Sequence, residues 1–265
     1  MVRSEAMKPY YDHNGITIYN GDCLNIMPDI PGGSVDMVMA DPPYGITTCK
    51  WDSIIPLEPM WKQLKRVIKK NGAIVLTASQ PFTTTLISSN MSMFKYCWVW
   101  EKTKAGNFCH AKNMPLKLHE DISVFSLGSV KHIGQANRMP YNPQGVISVD
   151  KKWSRPRTYE SEHNYRRPSH SLDRKITQEG YPSTVLTFGS VHNPPHSTQK
   201  PVALMEYLIK TYTNEGETVL DFAMGSGTTL VAAKALGRKA IGIEISEKYC
   251  ETAVGRLAQE GLCGY

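Results

Sequence analysis

The chain has 265 residues, of which 41% are hydrophobic and 20% charged, and a formal net charge of +6. This balance excludes general disorder and suits one α/β domain carrying an insertion. No run approaches the roughly 18 apolar residues of a membrane span, and residues 1–12 lack the apolar core of a signal peptide, so no membrane partner and a cytoplasmic location are expected.

In chain order, Ile16-Thr17-Ile18-Tyr19 reads as a first strand, ending at Asn20-Gly21-Asp22, a turn that places one carboxylate at a strand end. After a loop over residues 28–33, Val35-Asp36-Met37-Val38-Met39-Ala40 is an apolar run with the character of a buried strand. Asp41-Pro42-Pro43-Tyr44 should therefore emerge at a strand's carboxyl end, where open α/β sheets bind ligands. Each proline fixes φ near about −65° and holds the residue before it extended. This stiff turn presents the Asp41 carboxylate and the Pro42 carbonyl as two acceptors beside the Tyr44 ring, a seat for an amino group with two hydrogens. Alone, the tetrapeptide reads equally well as a surface turn.

Residues 45–51 are irregular enough to form a flap, and a helix is predicted over about residues 57–69, stopped by Asn71-Gly72. Residues 73–77 read as a buried strand, Pro81 as the start of a short helix, and residues 96–100 and 121–125 as two further strands joined by a polar connection over 102–118. Strands and helices alternate to about residue 126, as a doubly wound sheet requires. The pattern changes over residues 128–189, which are rich in Pro, Arg, Asn, Ser and Tyr without long apolar periodicity. It resumes with a helix after Pro201, a strand over 218–221, a glycine turn opening a helix, a strand over 239–244, and a last helix capped by Ser246. The chain thus divides into a half carrying the Asp41 turn (1–127), an insertion (128–190) and a second half of the same domain (191–265).

Phe222-Ala223-Met224-Gly225-Ser226-Gly227-Thr228-Thr229, between a strand and a helix with Glu244 about twenty residues on, has the form of a βαβ nucleotide-binding unit. Gly225 and Gly227 let backbone approach a ligand, and the helix start near Thr228 favours a negative group. A dinucleotide fingerprint wants glycine where Leu230 stands. S-adenosylmethionine suits the residues better, with a ribose for Glu244, an ammonium for Asp221 and a carboxylate for Lys200, although a solvated surface position is the plainer reading of a lysine.

Asp41-Pro-Pro-Tyr44, the Thr198-Gln-Lys-Pro201 segment, and Val219-Leu-Asp221 leading into Gly225-Ser-Gly-Thr-Thr229 together resemble the motifs of amino-group DNA methyltransferases. Their order is similar to that of the β group of that family, over about residues 21–257 but not the insertion. The resemblance implies a Rossmann-like S-adenosylmethionine-dependent fold with permuted motif order and about seven strands, mostly parallel with one reversed. It implies that Asp221, Gly225, Ser226, Gly227, Thr228 and Lys200 hold the methionine end of the cofactor, Glu244 its ribose, and Asp22 and Cys23 its adenine ring, with Phe222 and Ile245 also cofactor-binding. Phe222-Ala223 stands where Pro-Phe is frequent, and Ser197 where Pro is frequent. Asp41, Pro42, Pro43 and Tyr44 are the implied catalytic residues, and Asp rather than Ser before Pro-Pro-Tyr favours adenine N6 over cytosine N4.

Residues 131–175 hold ten basic side chains against four acidic ones, so this window carries the whole charge excess. Lys151, Lys152, Arg155, Arg157, Arg166 and Arg167, interleaved with Tyr141, Trp153, Tyr159, Tyr165 and Tyr181, are candidates for binding double-stranded DNA, with Asn142 or Gln144 suited to adenine. The plainer alternative is a solvated charged loop. Six scattered cysteines without C-x-x-C spacing argue against a disulfide framework or a structural zinc site, and no metal is expected. The resemblance also allows a homodimer. Two other readings stay open: a cytosine-N4 enzyme, and a nucleic-acid-binding module with a vestigial cofactor pocket.

Overall fold

The computed structural model describes residues 8–46, 52–130, 137–154, 173–190 and 199–259. Beyond these lie the flap residues 47–51, the lead-in to Lys200 at 191–198, and Arg155, Arg157, Tyr159, Tyr165, Arg166 and Arg167 of the insertion.

The first half runs β1 (Tyr11–His13), β2 (Ile16–Asn20), α1 (Cys23–Ile26), β3 (Val35–Ala40), α2 (Leu57–Val67), β4 (Ile68–Ala78), α3 (Phe82–Ser89), β5 (Phe94–Gly106) and β6 (Lys117–Ser126). After β7 (Ile147–Ser154), β8 (Asp173–Glu179) and β9 (Val185–Phe188) come α4 (Val202–Tyr212), β10 (Thr218–Asp221), α5 (Thr228–Ala235), β11 (Lys239–Glu244) and α6 (Glu247–Ala258). Nine of these strands form one sheet in the order β1-β2-β11-β10-β3-β4-β6-β5-β9. From β2 to β4 neighbours are parallel, and β6 runs antiparallel to both β4 and β5. The stretch from β2 to β5 is thus seven strands with β6 reversed, as the resemblance implies. The additional edge strands are β1, antiparallel to β2, and β9, parallel to β5.

Helices cover both faces because the central strands are apolar on both. Met37 and Met39 of β3 pack with Leu204, Leu208, Tyr212 and Leu230, whereas Val38 and Ala40 pack with Met60, Trp61, Leu64 and Phe82. Buried polar groups in the first layer are paired: Trp98 Nε1 donates to Tyr212 Oη at 2.6 Å, and the hydroxyls of Tyr96 and Tyr212 are 2.9 Å apart.

Three elements differ from expectation for local reasons. The helix predicted to reach residue 69 ends at Val67, because Ile68 pairs with Val35 and begins β4. Asn71-Gly72, read as a helix stop, lies inside β4 where the pairing with β3 shifts register. A Cβ on Gly72 would lie 2.6 Å from the Asp36 carbonyl oxygen, so glycine permits that close backbone approach. The predicted polar connection over 102–118 is shorter than expected, since β5 extends to Gly106 and β6 starts at Lys117.

Two compact units result: residues 1–142 with 184–265, and residues 143–183. The second is narrower than the 128–190 insertion read from composition, because Val185–Phe188 joins the main sheet beside β5. It is built on the antiparallel hairpin of β7 and β8, in which Lys151 pairs with Glu179 at 2.5 Å and Lys175 with Asp150 at 3.1 Å. No helix among the described residues is long and apolar enough to cross a membrane.

Candidate active site

The carboxyl ends of β3, β10 and β11 open into one cleft of about 540 Å3, a size suited to a small-molecule ligand. Asp22 and Cys23 line it, as do Asp41 to Tyr44, Lys200, Asp221, Gly225, Ser226, Thr228, Glu244 and Ile245. The two motifs, distant in sequence, are walls of one site because β10 lies beside β3.

On one side, Asp41 follows directly on β3. Its Oδ1 accepts a hydrogen bond from Tyr44 Oη at 2.7 Å and another from the Thr77 hydroxyl, and the two hydroxyl oxygens are 3.0 Å apart. Its Oδ2 accepts from Lys200 Nζ at 2.6 Å. Lys200 also lies 3.4 Å from Glu120, and it is only 5% exposed. Burial disfavours its ammonium, but the Asp41 and Glu120 carboxylates outweigh that and raise the lysine pKa. The Lys200 ammonium is thus held by carboxylates on the Asp41 side of the cleft. The Tyr44 ring stacks on Phe82, with centroids 5.4 Å apart and planes at 21°, and burial pushes the phenol pKa well up, so its proton stays in place as a donor.

The turn after Asp41 is held by a residue without a sequence signal. Asp52 Oδ1 accepts the Tyr44 and Gly45 backbone N–H groups, each at 2.8 Å, and its Oδ2 accepts that of Ile46 at 2.9 Å. Thr77, Ser79, Lys117 and Glu120 likewise escape the motifs, since they come from β4, its following turn and β6. Lys117 donates to Ser79, and burial lowers its pKa.

On the other side, Asp221 ends β10, 3% exposed. Burial raises its carboxyl to about 7, opposed by hydrogen bonds from the Thr229 hydroxyl and the Ala223 N–H. It forms no ion pair among the described residues, so the site lacks a cation there. Glu244 accepts the Gly225 N–H at 3.0 Å on one oxygen and the Ser246 N–H at 2.8 Å on the other, which leaves lone pairs for a diol. Burial raises the Cys23 thiol to about 12, so it forms a neutral wall, while Asp22 caps α1 by accepting the Leu24 N–H at 2.8 Å. Ile245 is 68% exposed at the cleft, whereas Phe222, 1% exposed, lines it from the core.

Arg256 of α6 fixes the glycine turn, donating to the Ser226 carbonyl at 2.7 Å and to the hydroxyls of Ser226 at 3.0 Å and Thr228 at 3.1 Å. Ser226 in turn donates to Gln199 at 3.0 Å. Gly227 has φ +79°, and a Cβ there would lie 2.7 Å from Ala253 Cβ, so both conformation and helix packing require glycine. A buried carboxylate without an ion pair among the described residues, a second carboxylate with free lone pairs and a cleft of this size fit the ammonium and ribose of S-adenosylmethionine, which Asp221 and Glu244 would hold.

The DNA candidates are less gathered. Lys151 is paired with Glu179, and Tyr181 donates to Gln178 at 2.7 Å. Two of the insertion candidates pack on the main sheet's helices: Tyr141 lies against Tyr212, and Asn142 Nδ2 donates to the carbonyls of Lys210 at 3.2 Å and Thr213 at 3.1 Å. Both precede the 143–183 unit, which a composition boundary at 128 does not resolve.

The family model described as DNA methylase (N6_N4_Mtase) matches residues 35–255. A DNA adenine methyltransferase of Escherichia coli K12, YhdJ, is 29% identical over 272 residues, spanning 97% of this chain and 87% of that one. The type II methyltransferase M.HpaI of Haemophilus parainfluenzae is 27% identical over 257 residues, spanning 90% and 73%. In fold, the chain is similar to M1.HpyAVI in its complex with S-adenosylmethionine, with a TM-score of 0.61, 24% identity, and 91% and 99% of the two chains covered. With the Asp41 turn and the Asp221 and Glu244 carboxylates in one cleft, the chain belongs to the DNA methylase family and is an S-adenosylmethionine-dependent methyltransferase.

Proposed function

We propose that the protein methylates the N6 amino group of adenine in double-stranded DNA. The observation that carries this reading is the placement of Asp41 at the end of β3, in the same cleft as Asp221 and Glu244. When bound, the cofactor supplies an electrophilic methyl group. An adenine amino nitrogen is a poor nucleophile because its lone pair is delocalised into the ring. The Asp41 carboxylate and the Pro42 carbonyl, fixed by the rigid turn, accept its two hydrogens and hold the nitrogen out of that conjugation. Positioning of this kind supplies much of the rate.

The target base has to leave the duplex, which costs a few kcal/mol, against about 1–3 kcal/mol for stacking on an aromatic ring. Tyr44, held by Phe82, therefore needs help from contacts to the phosphate backbone, for which the Lys- and Arg-rich residues 143–183 are suited. Lys152 and the arginines at 155, 157, 166 and 167 are our candidates there. Asp before Pro-Pro-Tyr and the adenine specificity in the name of the E. coli relative support adenine over cytosine. A cytoplasmic location and a homodimer belong to the same reading.

Incubation with unmodified genomic DNA and S-adenosylmethionine, followed by mapping of modified positions, tests the reading. N6-methyladenine at one recurring sequence is expected. N4-methylcytosine would replace the base assignment, and absence of DNA methylation would overturn the function.

A further inference from the structure

The target side of the cleft carries charges that the mechanism above does not use. Lys200 Nζ bonds to Asp41 Oδ2 at 2.6 Å and lies 3.4 Å from Glu120 Oε2. Glu120 Oε1 is paired with Lys102, while its Oε2 is buried and makes no hydrogen bond among the described residues. Asp41 Oδ1 already takes the Tyr44 and Thr77 hydroxyls. Both oxygens of Asp41 are therefore engaged before any base arrives.

An incoming amino N–H must share one of them with a donor already in place: Oδ1 accepts two, and Oδ2, which keeps a second lone pair, lies against the buried Lys200 ammonium. If Tyr44 turned its proton to Thr77, the Thr77 hydroxyl would still sit on Oδ1, whereas departure of the Lys200 ammonium clears a whole oxygen. A buried ammonium cannot leave one carboxylate without another to receive it, because an unpaired buried charge is strongly destabilising. Glu120 Oε2 is that receiver, close enough for a small side-chain movement.

We propose that Glu120 is a positioning residue for methyl transfer, taking the Lys200 ammonium as the target amino group takes Asp41 Oδ2. No bond is made or broken in this exchange. The inference rests on the reading of Asp41 as the amino-group acceptor. It acts through Lys200, so it gives Glu120 a signature in combination that a packing role lacks.

The test compares single-turnover methyl transfer to unmodified genomic DNA by the wild type, Glu120→Gln, Glu120→Asp, Lys200→Met and the Glu120→Gln/Lys200→Met double variant. Cofactor titration and the emission of 2-aminopurine at the mapped target position report binding and base extrusion. Glu120→Gln is expected to slow transfer about tenfold or more, with cofactor affinity and emission within about twofold of wild type. Glu120→Asp, which keeps the charge, recovers part of the loss, and in the Lys200→Met background Glu120→Gln costs less than about twofold. Should the Lys200 background prove inactive, the Gln and Asp variants alone decide. An equal loss for Gln and Asp, an equal cost in both backgrounds, or a parallel loss of binding and emission would overturn the proposal. Wild-type protein that methylates no DNA overturns the reading of Asp41 itself, which is a different result from an active enzyme indifferent to Glu120→Gln.

Discussion

Lys200 and Asp41 are 159 positions apart, yet the lysine ammonium sits 2.6 Å from the aspartate carboxylate in the wall of the cleft. The contact joins the two halves of the domain at the point where chemistry is expected.

Asp41→Asn preserves volume and removes the charged acceptor. Methyl transfer should fall by about a hundredfold or more, the scale seen when one preorganised polar contact to a reacting group is lost. Cofactor affinity should stay within about threefold, since Asp221 and Glu244 are untouched. Filter binding of labelled methyl groups, with calorimetric cofactor titration, measures both.

Asp221 is expected to set the pH dependence of cofactor binding. Its carboxyl, raised by burial from 3.8 to about 7, must lose its proton to pair with an ammonium. Affinity should therefore climb as pH rises from about 6 to about 7.5, with proton release on binding visible in buffers of different ionisation enthalpy. In the free protein the sign is opposite. The folded chain holds this proton longer than the unfolded chain, so burial of Asp221 lowers stability as pH rises between about 4 and about 7. Asp221→Asn should bind the cofactor weakly and lose both dependences.

Asp52→Asn tests the clamp on the Asp41 turn. An amide can accept the Tyr44 and Gly45 N–H groups through one oxygen, but it turns an NH2 toward the Ile46 N–H that Asp52 Oδ2 now accepts. The turn should loosen and the rate should drop about tenfold, with a smaller change in cofactor affinity. Stopped-flow single-turnover rates beside equilibrium binding separate the two.

Tyr212→Phe removes the acceptor of Trp98 Nε1 and leaves a buried indole N–H without its partner. A loss of about 1–3 kcal/mol in unfolding free energy is expected, measured by urea denaturation with unchanged slope.

The parallel core of the fold was legible because β3, β10 and β11 are short apolar runs that end in chemically distinctive residues: Asp41, Asp221 and Glu244. What escaped depends on tertiary pairing. Nothing local marks Thr77, Glu120 or Asp52, since each matters only through a partner brought in by strand order or by the fold of a loop. Arg256 sits among ordinary helix residues, and only the packing of α6 on the glycine turn reveals its purpose. The misread Asn71-Gly72 shows the opposite error, a strong turn signal spent on a register shift between two strands.

The 143–183 unit begins and ends at anchored backbone. Asn142 N–H donates to the Thr211 carbonyl at 2.7 Å, and the Thr184 carbonyl accepts the Val99 N–H at 2.8 Å. Because both ends are pinned by residues of the main sheet and its helices, what lies between can lengthen, shorten or be exchanged at little cost to the fold, since loop-closure entropy grows slowly with length. Natural variation can therefore rewrite that segment while inheriting the methyl-transfer chemistry unchanged.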